Sequence, residues 1–256
     1  YTSKGYYSRL TEFNNYYTAM MWYGSAPFMF ETYDDIGSPK ILDEQVAMAV
    51  ILTAQTLGDE KLKELWEDIY GVSSAYLGDL GDINIYDMSE IIETVYGDRI
   101  DFNRICGDAE LKEVYRLAAK RYGERQSGSL SGRIKLLTEG YRLQPQFKLM
   151  GGIYDLDSAI YEYLTAAGGV EGRDMPDALD IPSAFGSDSA LSLVRQRGCV
   201  GDGIQKYYHR IPEMRKVLSE SAGSGRLFLN NSMDWIAGAI IDADKSGYPS
   251  FMTGKG

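Results

Sequence analysis

Four Tyr-Gly pairs, Tyr23-Gly24, Tyr70-Gly71, Tyr96-Gly97 and Tyr122-Gly123, each close a run of apolar side chains at helical spacing. Glycine adopts the left-handed conformation that satisfies a helix's last carbonyls without a Cβ clash, so each pair predicts a helix stop. A chain with four such runs in its first half is constrained to fold mainly as packed helices. The segments between the pairs do not otherwise align, which makes them shared capping chemistry and not the period of a solenoid.

Thr11 is predicted to cap a helix through Tyr23, with Phe13, Tyr16, Tyr17, Met20 and Met21 at core spacing. Asp43 opens VAMAVILTAQTL, a segment apolar on nearly every side that ends at Gly58 and belongs inside a bundle. Asp59 caps the next helix, whose inward set is Leu62, Leu65, Trp66 and Ile69. Further helices are predicted over 87–96, from Asp108 onward, and over 156–167, 187–197, 211–221 and 232–244. RIKLL (133–137) and QFKLM (146–150) alternate as short strands. The expected fold is mainly α, a multi-helix bundle or toroid-like helical array with a small β-hairpin insert near the middle. Flexible QSGSLSG (126–132) divides an N-terminal helical subdomain, 1–125, from a C-terminal one, 126–256, with the short strands near 133–150; one continuous domain is the alternative.

Composition excludes several function classes. The net charge is −11, with 26 basic residues scattered among 37 acids, so nucleic acid and anionic membrane surfaces are poor partners. The longest apolar stretch is too short to span a bilayer, and no membrane insertion is expected. The first residue is Tyr1, so the chain is read as a processed or excised piece. Cys106 and Cys199 fit either one long-range disulfide or two buried thiols.

Catalytic motifs are scarce. A single histidine, His209, rules out HExxH and paired-His zinc sites, and is read as structural or surface. GSLSG holds Leu130 where a nucleophile elbow needs serine, and neither GGVEG nor FMTGKG meets a phosphate-loop pattern. No cofactor is expected, with calcium as the exception to test. DADKSG starts like an EF-hand loop through Asp242, Asp244 and Ser246, although Thr253 replaces its closing Glu. Asp79, Asp82, Asn84 and Asp87 form a second acidic group, read as a solvated loop ending in a helix cap.

The chain resembles an uncharacterised family of large prokaryotic exported proteins, many of them predicted surface lipoproteins, known only as a domain of unknown function. The likeness rests on GYYSR followed by AMMWYG, on LWEDIYG and INIYDMSEIIETVYG, and on FKLMGGIYDLDSAIYEYL and RDMPDALDIPSAFGSDSA. It implies an exported, mostly helical protein of which this is an internal portion. It further implies an extracellular or cell-surface location, with a lipid anchor in a segment absent here. Tyr6 stands where the family usually has histidine, and the family's further helical segment beyond Gly256 is missing. It brings no catalytic residues to transfer.

Two functions follow as expectations. One is a cell-surface binding or interaction domain for a glycan or peptide, motivated by 20 tyrosines and the lack of a catalytic signature. The other is an extracellular hydrolase or lyase acting on polysaccharide or peptidoglycan fragments through carboxylates of the long loop 168–189. Candidate ligand residues are Tyr6, Tyr7 and Trp22 at the ends of the first helix, with Arg173, Asp177 and Asp180 in the loop. Asp174 is a further loop acid.

Overall fold

The computed structural model of the chain describes residues 2–77, 81–97, 104–151, 156–198 and 201–223. The protein is mainly α, with ten α-helices among the described residues and strands confined to short pairs. Contacts group it into two units. One comprises Tyr1–Val72, Leu80–Arg125 and Leu143–Ile153; the other comprises Ser73–Asp79, Gln126–Arg142 and Tyr154–Gly256.

The first unit begins with a 3-10 turn (Gly5–Ser8) and α1 (Thr11–Ser25), then β1 (Phe28–Met29), β2 (Glu31–Tyr33) and β3 (Pro39–Ile41). Strands β2 and β3 form an antiparallel hairpin in which Glu31 faces Ile41. Asp34 Oδ1 closes its turn by accepting from Ser38 N at 2.7 Å. α2 (Asp43–Gly58) and α3 (Glu60–Leu77) meet at Asp59, whose Oδ1 accepts from Lys61 N at 2.9 Å and Leu62 N at 3.0 Å. This is the cap that the sequence predicts. α4 (Ile85–Tyr96) packs on α2 and buries Ile85, Met88, Ile91 and Ile92. α5 (Asp108–Gly128) buries Leu111, Val114, Ala118 and Tyr122. β4 (Gln146–Phe147) completes the unit by pairing with β1, Phe28 opposite Phe147.

Several local expectations are corrected. Gly97, at φ +76, does end α4, but α1, α3 and α5 run through Gly24, Gly71 and Gly123. Glycine inside a helix costs only about 1 kcal/mol, which neighbouring packing overrides. Leu62, Leu65 and Ile69 are exposed, because α3 instead turns Trp66 and Tyr70 inward. Those rings stack at 4.5 Å, and Trp66 Nε1 donates to Leu149 O at 2.7 Å, so this face buries more area and satisfies the indole. Met48 and Ile51 leave one side of α2 in solvent.

The second unit holds α6 (Leu130–Lys135), α7 (Leu156–Tyr163), a 3-10 turn (Ala166–Gly168), α8 (Asp180–Ala184), α9 (Asp188–Arg197) and α10 (Ile204–Gly223). RIKLL is thus helical at its start and does not pair with QFKLM. Leu130, Ile134 and Leu137 recur at helical spacing and pack into the core, and Ser129 caps the helix by accepting from Gly132 N at 3.1 Å. α10 supplies the longest seam of this core, Tyr207, Ile211, Met214 and Leu218, and continues through the exposed Pro212. Two loops interlock at Gly172 and Gly201, where a Cβ on Gly201 would lie 2.8 Å from Gly172 O.

Candidate functional site

The loop residues singled out by sequence form a built constellation in the second unit. Arg173 follows α7, Asp180 opens α8 and Tyr207 lies on α10. Arg173 is 2% exposed and Asp180 0%. Arg173 Nη2 donates to both Asp180 oxygens, at 2.9 and 2.8 Å, and Nη1 to Leu164 O at 2.7 Å. Tyr207 donates its hydroxyl to Asp180 Oδ1 at 2.9 Å, and Asp177 N donates to Oδ2 at 2.9 Å. A carboxylate has about four acceptor positions, so Asp180 is saturated by these donors.

The guanidinium of Arg173 also lies 4.8 Å from the Tyr207 ring centre. Burial pushes the Tyr207 phenol well above its ordinary range, and the Asp180 charge pushes it further. Asp177 is half-buried; its Oδ1 accepts from Leu179 N at 2.8 Å and its Oδ2 lies 3.6 Å from Arg197. Ion pair, ring and loop backbone therefore act as one buried clasp, chemically suited to holding the loop and not to receiving a proton from a substrate.

A second clasp, missed by the sequence reading, sits beside it. Arg210 donates to Tyr163 O and, at 2.7 Å, to Gly168 O, with its guanidinium 4.3 Å from the Tyr163 ring centre. Tyr163 in turn donates to Glu213 Oε2 at 2.6 Å, and burial followed by that carboxylate raises its phenol pKa. Arg210, the one arginine in YYHRIPEM, meets Tyr163 from 47 residues away, so no local spacing marks the pair. His209 is 83% exposed and 4.0 Å from Glu213, a surface histidine.

In the first unit, Asn84 caps α4 reciprocally with Asp87. Arg125 grips Asp87 at 2.8 and 2.9 Å, while Lys148 and Gln146 reach Asp82 at 3.0 and 2.6 Å. These acids serve a cap and ion pairs; Asp79 lies outside the described residues. Buried Glu31 accepts from Tyr33 at 2.9 Å and from Tyr115, whose phenol pKa is raised by burial and by Glu31. Among the described residues no three His, Cys, Asp or Glu side chains gather to hold a metal. Asp242, Asp244 and Ser246 lie outside the described residues, as does Cys199; Cys106 is a free, exposed thiol.

The aromatic candidates behave differently. Not one residue of the 15 in α1 is buried, so Phe13, Tyr16, Tyr17, Met20 and Met21 do not fill a core. Tyr6 stacks on Phe13 at 4.9 Å and Tyr7 packs on Tyr17 at 5.3 Å, so the preceding turn occupies the face that spacing assigned to the interior. Tyr6 (57% exposed), Tyr7, Tyr16, Trp22 (59% exposed) and Tyr23 are exposed to water. Trp22 and Tyr23 meet edge to face at 5.2 Å, and Arg9 lies 5.6 Å from the Tyr6 ring centre. Tyr6, Tyr7 and Trp22 belong to the first unit, and Arg173, Asp177 and Asp180 to the second.

No described helix is long and apolar enough to cross a membrane. The chain belongs to the family described as protein of unknown function (DUF3160), whose model matches residues 1–256. No curated protein and no solved structure matches it.

Proposed function

We propose that the chain is an exported, cell-surface binding domain that takes a glycan on the aromatic surface of the Gly5–Ser8 turn and α1. One observation carries the reading: a 15-residue helix without a buried residue holds Tyr16, Trp22 and Tyr23 in water, next to exposed Tyr6 and Tyr7. Exposed aromatic area concentrated on one element in this way marks interaction surfaces. Tyr and Trp are rigid and amphipathic, and their ring faces complement the C–H faces of sugars while their polar edges meet hydroxyls. The exposed Asn15 and half-buried Asn14 add amide groups to the same helix.

Hydrolysis or lyase action by the loop carboxylates has less support. A glycosidase needs two carboxyl groups that reach the scissile bond. Asp180 is saturated by its neighbours, and Asp177 is engaged by backbone and Arg197.

Titration of the chain with a panel of soluble oligosaccharides, followed by tryptophan fluorescence, tests the binding reading. Saturable quenching that Trp22→Ala and Tyr16→Ala abolish is expected. Responses to peptides but to no glycan, or glycan binding indifferent to both substitutions, would sink it. Export and lipid anchoring rest on the sequence likeness, and fractionation of the native host tests them: recovery in the cytosol would refute both.

A further inference from the structure

A cavity of about 330 Å³ lies in the second unit, beside the end of α8 and the last turns of α10. That volume is in the range of small-molecule sites. Ala184, Phe185 and Leu218 give it an apolar wall, and Arg215, Lys216 and Ser219 supply its polar groups. Among the described residues no acidic side chain lines it, although the chain as a whole carries 37 acids against 26 bases. Arg215 and Lys216, with Asp188 beside Arg215, leave the described surroundings net positive.

Arg215 is partly committed: Nε donates to Ser183 O at 2.9 Å and Nη1 to Asp188 Oδ1 at 2.9 Å. Its Nη2 is buried without an acceptor among the described residues. A buried donor left unpaired is costly, and a charged acceptor is its best complement. Two bonds fix the guanidinium, so the charge that Arg215 brings to the cavity wall is preorganised and loses little freedom on meeting an anion. Lys216 is exposed, and among the described residues no carboxylate pairs with it. Gly186, at φ +106, forms part of the wall, and a Cβ there would meet nothing within 4 Å.

We propose that this cavity is a binding site for a small amphiphilic carboxylate, its apolar body against Ala184, Phe185 and Leu218 and its anionic head between Arg215 and Lys216. The site is independent of the aromatic surface on α1, and either can fail without the other.

Calorimetric titration of the full chain with decanoate tests it. One-to-one saturable binding is expected. Decanol keeps the tail without the charge and should bind at least tenfold more weakly; acetate keeps the charge without the tail and should not bind. Lys216→Gln, at an exposed position, should weaken decanoate binding about tenfold with an unchanged melting temperature. Ser219→Phe, also exposed, should block the cavity and abolish binding. Absence of decanoate binding, equal affinity for decanol, or full affinity in both variants would overturn the assignment.

Discussion

Tyr207 and Arg173 converge on one oxygen: the phenol of the first and Nη2 of the second each donate to Asp180 Oδ1 at 2.9 Å. Both donors and the acceptor are buried, so removing the acceptor leaves a cation in the core without a counter-charge. Asp180→Ala should destabilise the protein by about 3–5 kcal/mol, because breaking one side of a buried pair strands the other. Asp177→Asn, at a half-buried position, should cost about 1 kcal/mol or less. Urea denaturation of both variants checks the contrast, and equal losses would contradict the clasp.

Alkaline pH should act through Tyr207, Tyr163 and Tyr115. Burial first, then a neighbouring carboxylate, raises each phenol's pKa in the folded chain. Above about pH 10 the unfolded chain releases these protons while the folded chain keeps them. Their contribution to stability is therefore complete below about pH 10 and is lost as pH rises from there through the folded values. Absorbance at 295 nm, recorded with circular dichroism, should show these phenols ionising together with unfolding. Free ionisation near pH 10 with the fold intact would refute the burial argument.

Asn84→Ala should cost about 1 kcal/mol, the typical loss for a cap residue. Asn84 Oδ1 accepts from Asp87 N at 3.0 Å, and Asp87 Oδ2 accepts from Asn84 N at 3.0 Å. Asn84 Nδ2 also donates to Tyr70 at 3.0 Å. Asn84→Asp keeps an N-cap acceptor but gives up that donor, so thermal melts should place it between wild type and Ala.

Two tryptophans should report opposite environments. Trp66→Phe leaves Leu149 O without its 2.7 Å donor and should cost about 1–3 kcal/mol. Trp22→Ala, at an exposed position, should change stability by no more than about 0.5 kcal/mol. Iodide should quench Trp22 and spare Trp66, which single-substituted variants resolve.

Helix starts were the most legible part of this chain. Asp43 and Asp108 open helices where an acid precedes a periodic run, and Asp59 caps one, because that signal is local and its partners lie within a turn. Helix stops were less legible: the same Tyr-Gly pair ends α4 and is passed through in α5, and only tertiary packing distinguishes the two. The phase of α3 depended on an indole finding a carbonyl 83 residues away, which no local pattern records. At the candidate site, Arg173, Asp177 and Asp180 stand close in the sequence, but their mutual saturation is a property of three-dimensional proximity. For α1, aromatic residues lie on both the exposed and the half-buried sides, so spacing could not separate core from surface.

The pairing of Phe28 with Phe147 sets an order of assembly. The first unit takes Leu143–Ile153 from beyond Gln126–Arg142, a segment assigned to the second. During synthesis from the N-terminus, the first unit thus waits, its β1 edge unpaired, while part of its neighbour is made. Cleavage after Arg125 would not release a finished unit: it would leave β1 without its partner and Trp66 without the carbonyl of Leu149. The seam at which this chain looks divisible by composition is therefore one at which it cannot be cut.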